Sequence, residues 1–203
     1  MTQSRTTDRA AGAASRAGAR ERLVEAAVRL FGEVGIRAAG IDRILAEAGV
    51  AKMSLYKHFR GKDDLVVAAL QRKDELFRET FEAMVGSRQS PRARLLGVFD
   101  ALEKWFGRPD FRGCLFLNAA AELVVPECPG RGAIAVHKAW VLEKLRGLSA
   151  DAGVPDPDRF AAQLMLLFEG AIARAYVTGE AGVAADGKAA AEVLLDAALA
   201  RPA

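Results

Sequence analysis

Apolar residues recur every three or four positions along most of this chain, which is the spacing of one buried face of an α-helix. The first stripe comprises Leu23, Ala27, Leu30, Phe31 and Val34. Ala and Leu, which favour helices, are abundant, and no segment shows the strict alternation of a half-buried strand. The chain is therefore predicted to be all-α, with about nine helices.

Glycine and proline residues between the stripes set the predicted helix bounds. The predicted helices cover 20–34, 41–48, 51–59, 62–86, 91–106, 113–125, 131–150, 158–178 and 188–200. The fourth is long enough, at roughly 35 Å, to link two modules rigidly. Three regions are expected: a flexible basic arm (1–19), an N-terminal helical domain (20–62) and a larger C-terminal helical domain (63–203).

Positive charge is concentrated in the first third of the chain. Residues 1–62 contain twelve Lys and Arg against six Asp and Glu, a net charge of +6, and the remainder carries −3. This asymmetry indicates a polyanionic partner, although a solvated basic face has the same composition. The arginines of the arm (Arg5, Arg9 and Arg16) could follow a DNA groove or remain part of a solvated tail.

The sequence contains no assembled catalytic or metal-binding set. Its two histidines, without a nucleophile elbow or a Gly-rich phosphate loop, argue against an enzyme, and no cofactor is expected. Cys114 and Cys128 fit neither a disulfide framework nor a zinc site. The N-terminus lacks a secretion signal, and the most apolar segment, 160–177, is interrupted by Glu169 and Arg174. A cytoplasmic protein without membrane attachment is expected.

Residues 41–59 have the pattern of a helix-turn-helix. Two short segments with one apolar face are joined by a turn at Gly49, and a preceding helix braces them. Ala51, Leu55 and Phe59 are spaced to face the core. The polar and exposed positions of the second helix could contact phosphates and base edges: Lys52, Met53, Ser54, Tyr56, Lys57 and His58. A three-helix packing unit would show the same pattern, but the +6 charge of this region favours DNA binding.

The stretch from Arg20 to Leu70 resembles the N-terminal domain of the TetR (tetracycline repressor) family of transcriptional regulators. The resemblance is carried by EAAVRLFGEVG, ILAEAGVAKMSLYKHF and GKDDL. It implies that Lys52, Met53, Ser54 and Lys57 face bases or backbone, and that Tyr56 and His58 contact phosphates. It also implies that Lys62 holds a phosphate at the start of the fourth helix. FRGCLFLNAAAEL (111–123) is similar to a segment found in one branch of such regulators.

Three positions depart from the family pattern. Ala39 and Gly40 stand where the family often has Thr and Ser, and Ala51 stands where Ser or Thr often caps the recognition helix. These departures weaken the expected phosphate grip of the second helix. We hypothesise that the arm and Arg43 compensate, which an unchanged DNA affinity after deletion of residues 1–17 would contradict.

The C-terminal part is predicted to form a homodimer. The segment 160–177 is apolar on more than one face, so a partner subunit or the core of a monomer must cover the second face. The resemblance implies a four-helix interface made by two copies of the last two helices. The predicted interface residues are Leu164, Leu167, Phe168, Ala171, Ile172, Ala175, Val193, Leu194 and Ala197.

The resemblance also implies an apolar cavity for a small apolar or amphipathic ligand. Aromatic and polar residues of the middle helices could line it: Trp105, Phe106, Phe111, Cys114, Phe116, Asn118, Glu122, His137, Trp140 and Glu169. Each is also compatible with an ordinary core or surface position, and no metal-ligand spacing is present. The resemblance implies a repressor that a ligand releases from a pseudo-palindromic operator. Residues 20–62 are then the DNA-binding domain, and residues 63–203 are the ligand-binding and dimerisation domain. The alternative is a helical ligand- or protein-binding adaptor with weakened operator binding.

Overall fold

The computed structural model describes residues 18–86 and 88–200, and these residues form nine α-helices without any strand. The predicted all-α class is therefore confirmed, while the predicted basic arm falls almost wholly outside the described residues. The helices are α1 (Ala19–Val34), α2 (Ile41–Ala48), α3 (Lys52–His58), α4 (Lys62–Gly86), α5 (Pro91–Phe106), α6 (Leu115–Glu122), α7 (Pro129–Asp151), α8 (Pro157–Thr178) and α9 (Val183–Leu199).

Two helix predictions need correction. Helix α6 is shorter than the predicted 113–125, because Gly113 has a positive φ of 73° and the chain leaves the helix after Glu122. Helix α9 begins at Val183 rather than at residue 188, so Gly187 lies inside it. A Cβ at Gly187 would stand 3.0 Å from the Phe99 ring, so this glycine permits close packing of α9 on α5.

The chain divides into two compact units. The first comprises the described residues up to Lys73 together with Ala119–Ala133, and the second comprises the described residues within Asp74–Asn118 and Ile134–Ala203. Helices α4, α6 and α7 each pass from one unit into the other. The first unit thus extends past the predicted boundary at residue 62 and includes Ala119–Ala133, a segment distant in sequence.

The core of the first unit lies among α1, α2, α3 and the first half of α4. Its buried side chains follow the predicted stripes, but Val34, the last member of the first stripe, is 37% exposed. They include Leu23, Ala27, Leu30, Phe31, Ile44, Leu45, Leu55, Phe59, Leu65 and Leu70. Burial of each large aliphatic or aromatic side chain stabilises the fold by about 1.5–3 kcal/mol. The three N-terminal helices are therefore held in one fixed arrangement.

The core of the second unit lies where α5, α8 and α9 pack together. Its largest buried side chains include Leu95, Phe99, Phe160, Leu164, Phe168 and Leu195. By length and composition, α8 is also the one described helix that could cross a bilayer. Its buried face packs against α5 and α9.

His137 is a buried titratable group in the second unit. Its Nδ1 lies 2.7 Å from Asp74 Oδ1, and its ring stacks on Phe116 at 3.6 Å between centroids. Burial lowers the pKa of His137 below its ordinary value, and this effect exceeds the opposing influence of Asp74. The imidazole is therefore neutral near neutral pH.

Stability is expected to fall as the pH decreases below about 6.5. Over the range between that ordinary value and the lower folded-state pKa, the unfolded chain binds a proton at His137 that the folded protein excludes. His137→Gln should reduce the difference in melting temperature between pH 7.5 and pH 5.5, and the exposed His58→Gln should not. Equal pH dependence in the wild type and His137→Gln would contradict this prediction.

Candidate nucleic-acid interface

Helix α3 presents a cationic and amphipathic face to solvent. Lys52, Tyr56, Lys57 and His58 are exposed, and Ser54 is half-buried. Met53 is 69% exposed, an unusual position for a large apolar side chain. The helix contains no acidic residue. This face can donate several hydrogen bonds to anionic oxygens and offers one apolar surface.

The opposite face of α3 fixes the helix on the first unit. Leu55 is fully buried, and Phe59, directly after the helix, is 5% exposed. The Arg20 guanidinium lies 5.4 Å from the centre of the Phe59 ring, within cation–π range. Ala51 was predicted to face the core, but it is exposed, because it precedes the helix as its N-cap.

The turn between α2 and α3 has the geometry of a helix-turn-helix. Helix α2 ends at Gly49 in the left-handed conformation, with φ 62° and ψ 41°. The amide of Val50 donates to the Leu45 carbonyl at 3.2 Å, and Arg22 Nε donates to the Ala48 carbonyl at 3.2 Å. The carbonyls at the end of α2 are thus satisfied, and the direction of the chain into α3 is fixed.

The departures from the family pattern leave two helix starts without side-chain caps. Gly40 precedes α2 and Ala51 precedes α3, and neither accepts a side-chain hydrogen bond from the helix. Ala39 is fully buried, so its methyl group belongs to the core of the unit.

Ala51→Ser is expected to stabilise the first unit by about 1 kcal/mol. Ala51 already has the extended φ and ψ of an N-cap residue, so a serine hydroxyl could accept a bond from a free amide of α3. Chemical denaturation would measure the change, with the exposed Ala38→Ser as the matched control. Equal unfolding midpoints for the two variants would show that α3 gains nothing from a cap.

Neighbouring charges modify this face at two points. Lys52 Nζ lies 3.7 Å from Asp42 on α2, and both side chains are largely exposed. This contact is weak enough to exchange for a phosphate. Arg43, next to Asp42, is exposed and remains a candidate phosphate contact.

Lys62, which was predicted to hold a phosphate, also has hydrogen-bond partners within the protein. Its Nζ donates to the backbone carbonyls of Ile36 and Arg37 within the first unit. Burial lowers the pKa of Lys62 below its ordinary value. The ammonium group therefore stabilises the turn between α1 and α2, a contact 26 residues away that no local pattern indicated.

Glu122, predicted to line a ligand cavity, belongs to the first unit and accepts hydrogen bonds from backbone amides. The other nine cavity candidates lie in the second unit, where they form separate local clusters.

One cluster is aromatic. Phe111 lies 5.1 Å from both Trp105 and Phe106 and 6.4 Å from Tyr176, measured between ring centroids. Gly113 has no side chain that would clash with this cluster, since a Cβ there would stand 2.9 Å from the Tyr176 ring.

The second cluster surrounds His137. Besides Phe116, its ring contacts Phe77 edge-on at 4.9 Å, and Phe77 lies 6.0 Å from Trp140. These rings come from α4, α6 and α7 and pack as a continuous group.

The polar cavity candidates are engaged within the second unit. Lys138 bonds Glu169 at 2.7 Å and lies 3.9 Å from the sulfur of buried Cys114. Asn118 donates to the Arg112 carbonyl at 3.0 Å. Two cavities of about 260 and 380 Å³ in this unit are lined by other residues, among them Arg88 and Asp100 in the first, and Phe160 and Leu194 in the second. Among the described residues no group of His, Cys, Asp and Glu could hold a metal ion.

The predicted dimer residues divide into buried and accessible sets. Five are buried within the protomer and cannot present their side chains to a partner: Leu164, Phe168, Ala171, Ile172 and Ala175. Leu167 and Leu194 are half-buried, and Val193 and Ala197 are exposed. The exposed apolar stripe of α8 is a different one, formed by Ala162, Leu166, Gly170, Ala173 and Val177. Its i, i+4, i+8, i+11, i+15 spacing is visible in the sequence, but the sequence does not show which stripe its own chain covers.

Comparison with known proteins gives this geometry a family. A family model for bacterial regulatory proteins of the tetR family matches residues 23–69, which span α1 to the first part of α4. The HTH-type transcriptional activator FasR of Mycolicibacterium smegmatis is 40% identical over 88 residues, which cover 41% of this chain and 40% of FasR. This chain thus spans about two fifths of the length of that relative.

Similarity to solved structures extends over nearly the whole chain. SCO4454, a TetR-family transcriptional regulator from Streptomyces coelicolor, has a TM-score of 0.82 and 36% identity, covering 89% of this chain and 95% of its own. A TetR transcriptional regulator from Chloroflexus aurantiacus has a TM-score of 0.76 and 26% identity, covering 88% and 94%. The family consists of DNA-binding regulators rather than enzymes. The exposed cationic helix, the glycine turn before it and these similarities establish that this chain is a member of the TetR family of helix-turn-helix transcriptional regulators.

Proposed function

We propose that this regulator is a cytoplasmic homodimeric repressor that reads a pseudo-palindromic operator and is released from it by a small apolar or amphipathic ligand. The observation that carries the proposal is the face of α3, which combines exposed cations, hydroxyl groups and a methionine on a helix anchored by Leu55. A helix of this kind fits the major groove of B-DNA.

The side chains of α3 supply two kinds of contact. Lys57 can neutralise a phosphate or bind the O6 and N7 acceptors of guanine, and Tyr56 and His58 can donate to phosphate oxygens. Met53 can contact a thymine methyl group. Ser54 can bond several base edges or a phosphate. Phosphate contacts give salt-dependent affinity, and base contacts give sequence preference.

A homodimer is supported by the uncovered apolar stripe of α8 and by its neighbours on α9. Leu166 is 74% exposed, Val177 is 82% exposed and Val193 is 70% exposed. Large apolar side chains exposed on two helices that pack together favour an interaction site here. Small residues at Gly170 and Ala173 allow another helix to approach closely. Two copies of α8 and α9 would then form a four-helix interface, in which both subunits use the same surface, as in an isologous dimer.

Leu166→Glu is expected to convert the dimer into a monomer. The substitution places a charge at the centre of the proposed interface, where it loses its hydration on association. Sedimentation equilibrium would give the mass, with Val125→Glu, which changes an exposed valine in the first unit, as the matched control. A dimer that persists in Leu166→Glu would exclude α8 as the interface.

The operator follows from the symmetry of such a dimer. Two recognition helices contact half-sites about 34–36 Å apart, or farther, on one face of the duplex. Selection from random duplexes should therefore recover an inverted repeat that binds two chains, with an affinity that falls steeply as salt increases. Binding of one chain per duplex, or sequence-independent binding, would contradict this proposal.

Repression is proposed because a bound dimer would block access to DNA that overlaps a promoter. A reporter gene with the selected operator placed between its promoter elements tests whether the regulator represses or activates transcription. Expression should fall when the regulator is present. Increased expression would assign the opposite sign, which is the one in the name of the relative FasR.

Ligand release is proposed to act through α4, which runs without interruption from Lys62 in the first unit to Gly86 in the second. A ligand bound in the second unit, with its aromatic clusters as candidate lining, would tilt α4 and change the separation of the two recognition helices. The ligand must bind the free state more tightly than the operator-bound state. The test is a screen of small apolar and amphipathic molecules for a shift in the operator-binding curve, and a curve that none of them shifts would argue against release.

The alternative function is a helical ligand- or protein-binding adaptor with weakened operator binding. The uncapped starts of α2 and α3 favour it, since Gly40 and Ala51 supply no hydroxyl for a phosphate. An adaptor would enrich no sequence from a random pool, whereas a repressor would.

A further inference from the structure

The turn between α1 and α2 is bound by a carboxylate from a distant part of the sequence. The amide of Ile36 donates to Glu122 Oε1 at 3.0 Å, and the amide of Arg37 donates to Glu122 Oε2 at 2.7 Å. Both carboxylate oxygens are therefore used, one on each of two consecutive peptide groups. Charge-assisted bonds of this type are roughly twice as strong as bonds between neutral groups.

The same turn is held by three further contacts within the first unit. Arg37 Nη2 donates to the backbone carbonyl of Glu122 at 2.8 Å, so Arg37 donates to Glu122 through both its amide and its side chain. Lys62 Nζ, at the start of α4, donates to the carbonyls of Ile36 and Arg37. The N–H groups of Ile36 and Arg37 are thus paired with Glu122 at the end of α6, and their carbonyl groups are paired with Lys62 at the start of α4.

Gly35 is adapted to this arrangement in two ways. Its φ of 86° lies in the region that favours glycine, and a Cβ at this position would stand 2.7 Å from Glu122 Oε1. A larger residue at position 35 would therefore both strain the backbone and displace the Glu122 carboxylate. The turn is shaped around the bound carboxylate.

The turn leads directly into the DNA-binding helices. Ile36 and Ala39 are buried, so a shift of the turn must move α2, which begins at Ile41. Helix α3 follows α2 after the short turn at Gly49, and its position depends on the same packed unit.

We propose that Glu122 is a positioning residue for operator binding, acting through the amides of Ile36 and Arg37 to fix the turn that orients α2 and α3. The inference rests on the proposed function for its DNA readout. It also predicts that Glu122 protects the amide protons of Ile36 and Arg37 from exchange, which can be measured without DNA.

The test compares Glu122→Gln with Glu127→Gln. Glu122→Gln keeps the volume of the side chain but replaces one of the two acceptor oxygens with an amide group that donates. Glu127→Gln removes an exposed carboxylate five residues farther along the chain and serves as the matched control. Amide hydrogen exchange at Ile36 and Arg37, operator affinity and thermal unfolding are measured on both full-length dimers. The operator is the duplex that the wild-type chain selects.

In Glu122→Gln, amide exchange at Ile36 and Arg37 should accelerate by about tenfold. Operator affinity should fall by about tenfold or more, because the turn that orients the DNA-binding helices loses a charge-assisted hydrogen bond in each subunit. Glu127→Gln should match the wild type in all three measurements. Lys62→Met combined with Glu122→Gln should be non-additive in affinity, since both residues bind one turn.

Three outcomes would overturn the proposal. Unchanged exchange at Ile36 and Arg37 would show that the carboxylate does not hold the turn. Faster exchange with wild-type operator affinity would reduce Glu122 to a structural contact without a role in DNA binding. A loss of affinity fully explained by global unfolding at the assay temperature would do the same. Failure of the wild-type chain to select any operator would instead overturn the proposed function, and the exchange data would still decide whether the contact forms.

Discussion

Replacing Tyr56 and Lys57 together with alanine is expected to lower affinity for the selected operator by about a thousandfold. Both side chains are exposed on α3, and neither contributes to the buried face of this helix. Each contact to DNA is worth on the order of 1 kcal/mol or more, and the proposed dimer would lose four contacts, which sum to roughly 4 kcal/mol. A titration of labelled operator at fixed salt would measure the loss.

The loss of affinity must be separated from a loss of charge or of folding. Lys104→Ala removes one exposed positive charge from the second unit and should leave affinity nearly unchanged. The unfolding midpoint of the double variant should remain close to that of the wild type, since surface substitutions usually change stability by less than about 0.5 kcal/mol. Wild-type affinity of the double variant would exclude α3 as the recognition helix.

Leu55→Ala is expected to destabilise the first unit by about 2–5 kcal/mol. Leu55 is fully buried and is the only buried residue within α3, so its removal leaves a cavity where the recognition helix meets the unit. Loss of a large part of the marginal stability of a domain would also abolish operator binding. Denaturant unfolding followed by circular dichroism would measure the change.

Met53→Ala is the matched control, because it shortens a side chain of the same helix that is 69% exposed. Its effect on stability should be below about 0.5 kcal/mol. Similar destabilisation by both variants would mean that α3 does not pack through Leu55.

The features that local periodicity specifies could be predicted from the sequence. The stripe of α1 and the buried Leu55 and Phe59 follow from helical spacing, and Gly49 marks the turn because it tolerates a left-handed conformation. Lys52, Tyr56 and Lys57 fall between the buried positions of that pattern, so their exposure could be predicted as well.

The features that depend on pairing between distant residues could not be predicted in this way. Lys62 has the charge and position for a phosphate contact, but the sequence did not indicate that it also donates to two carbonyl groups of the α1–α2 turn. Glu122 pairs with amides about 85 residues away, and a single sequence contains no signal for such a pair. For α8 the sequence shows several apolar stripes, but only the packing of α5 and α9 reveals that Leu164 and Phe168 are covered and Leu166 is not.

Affinity selection of random duplex DNA by the purified full-length protein tests the central claim most directly, with the Tyr56→Ala, Lys57→Ala variant selected in parallel. The expected result is an enriched pseudo-palindrome that the wild-type protein recovers and the double variant does not. A pool without any enriched sequence, or equal enrichment by the double variant, would contradict operator recognition through α3 and would favour the adaptor function.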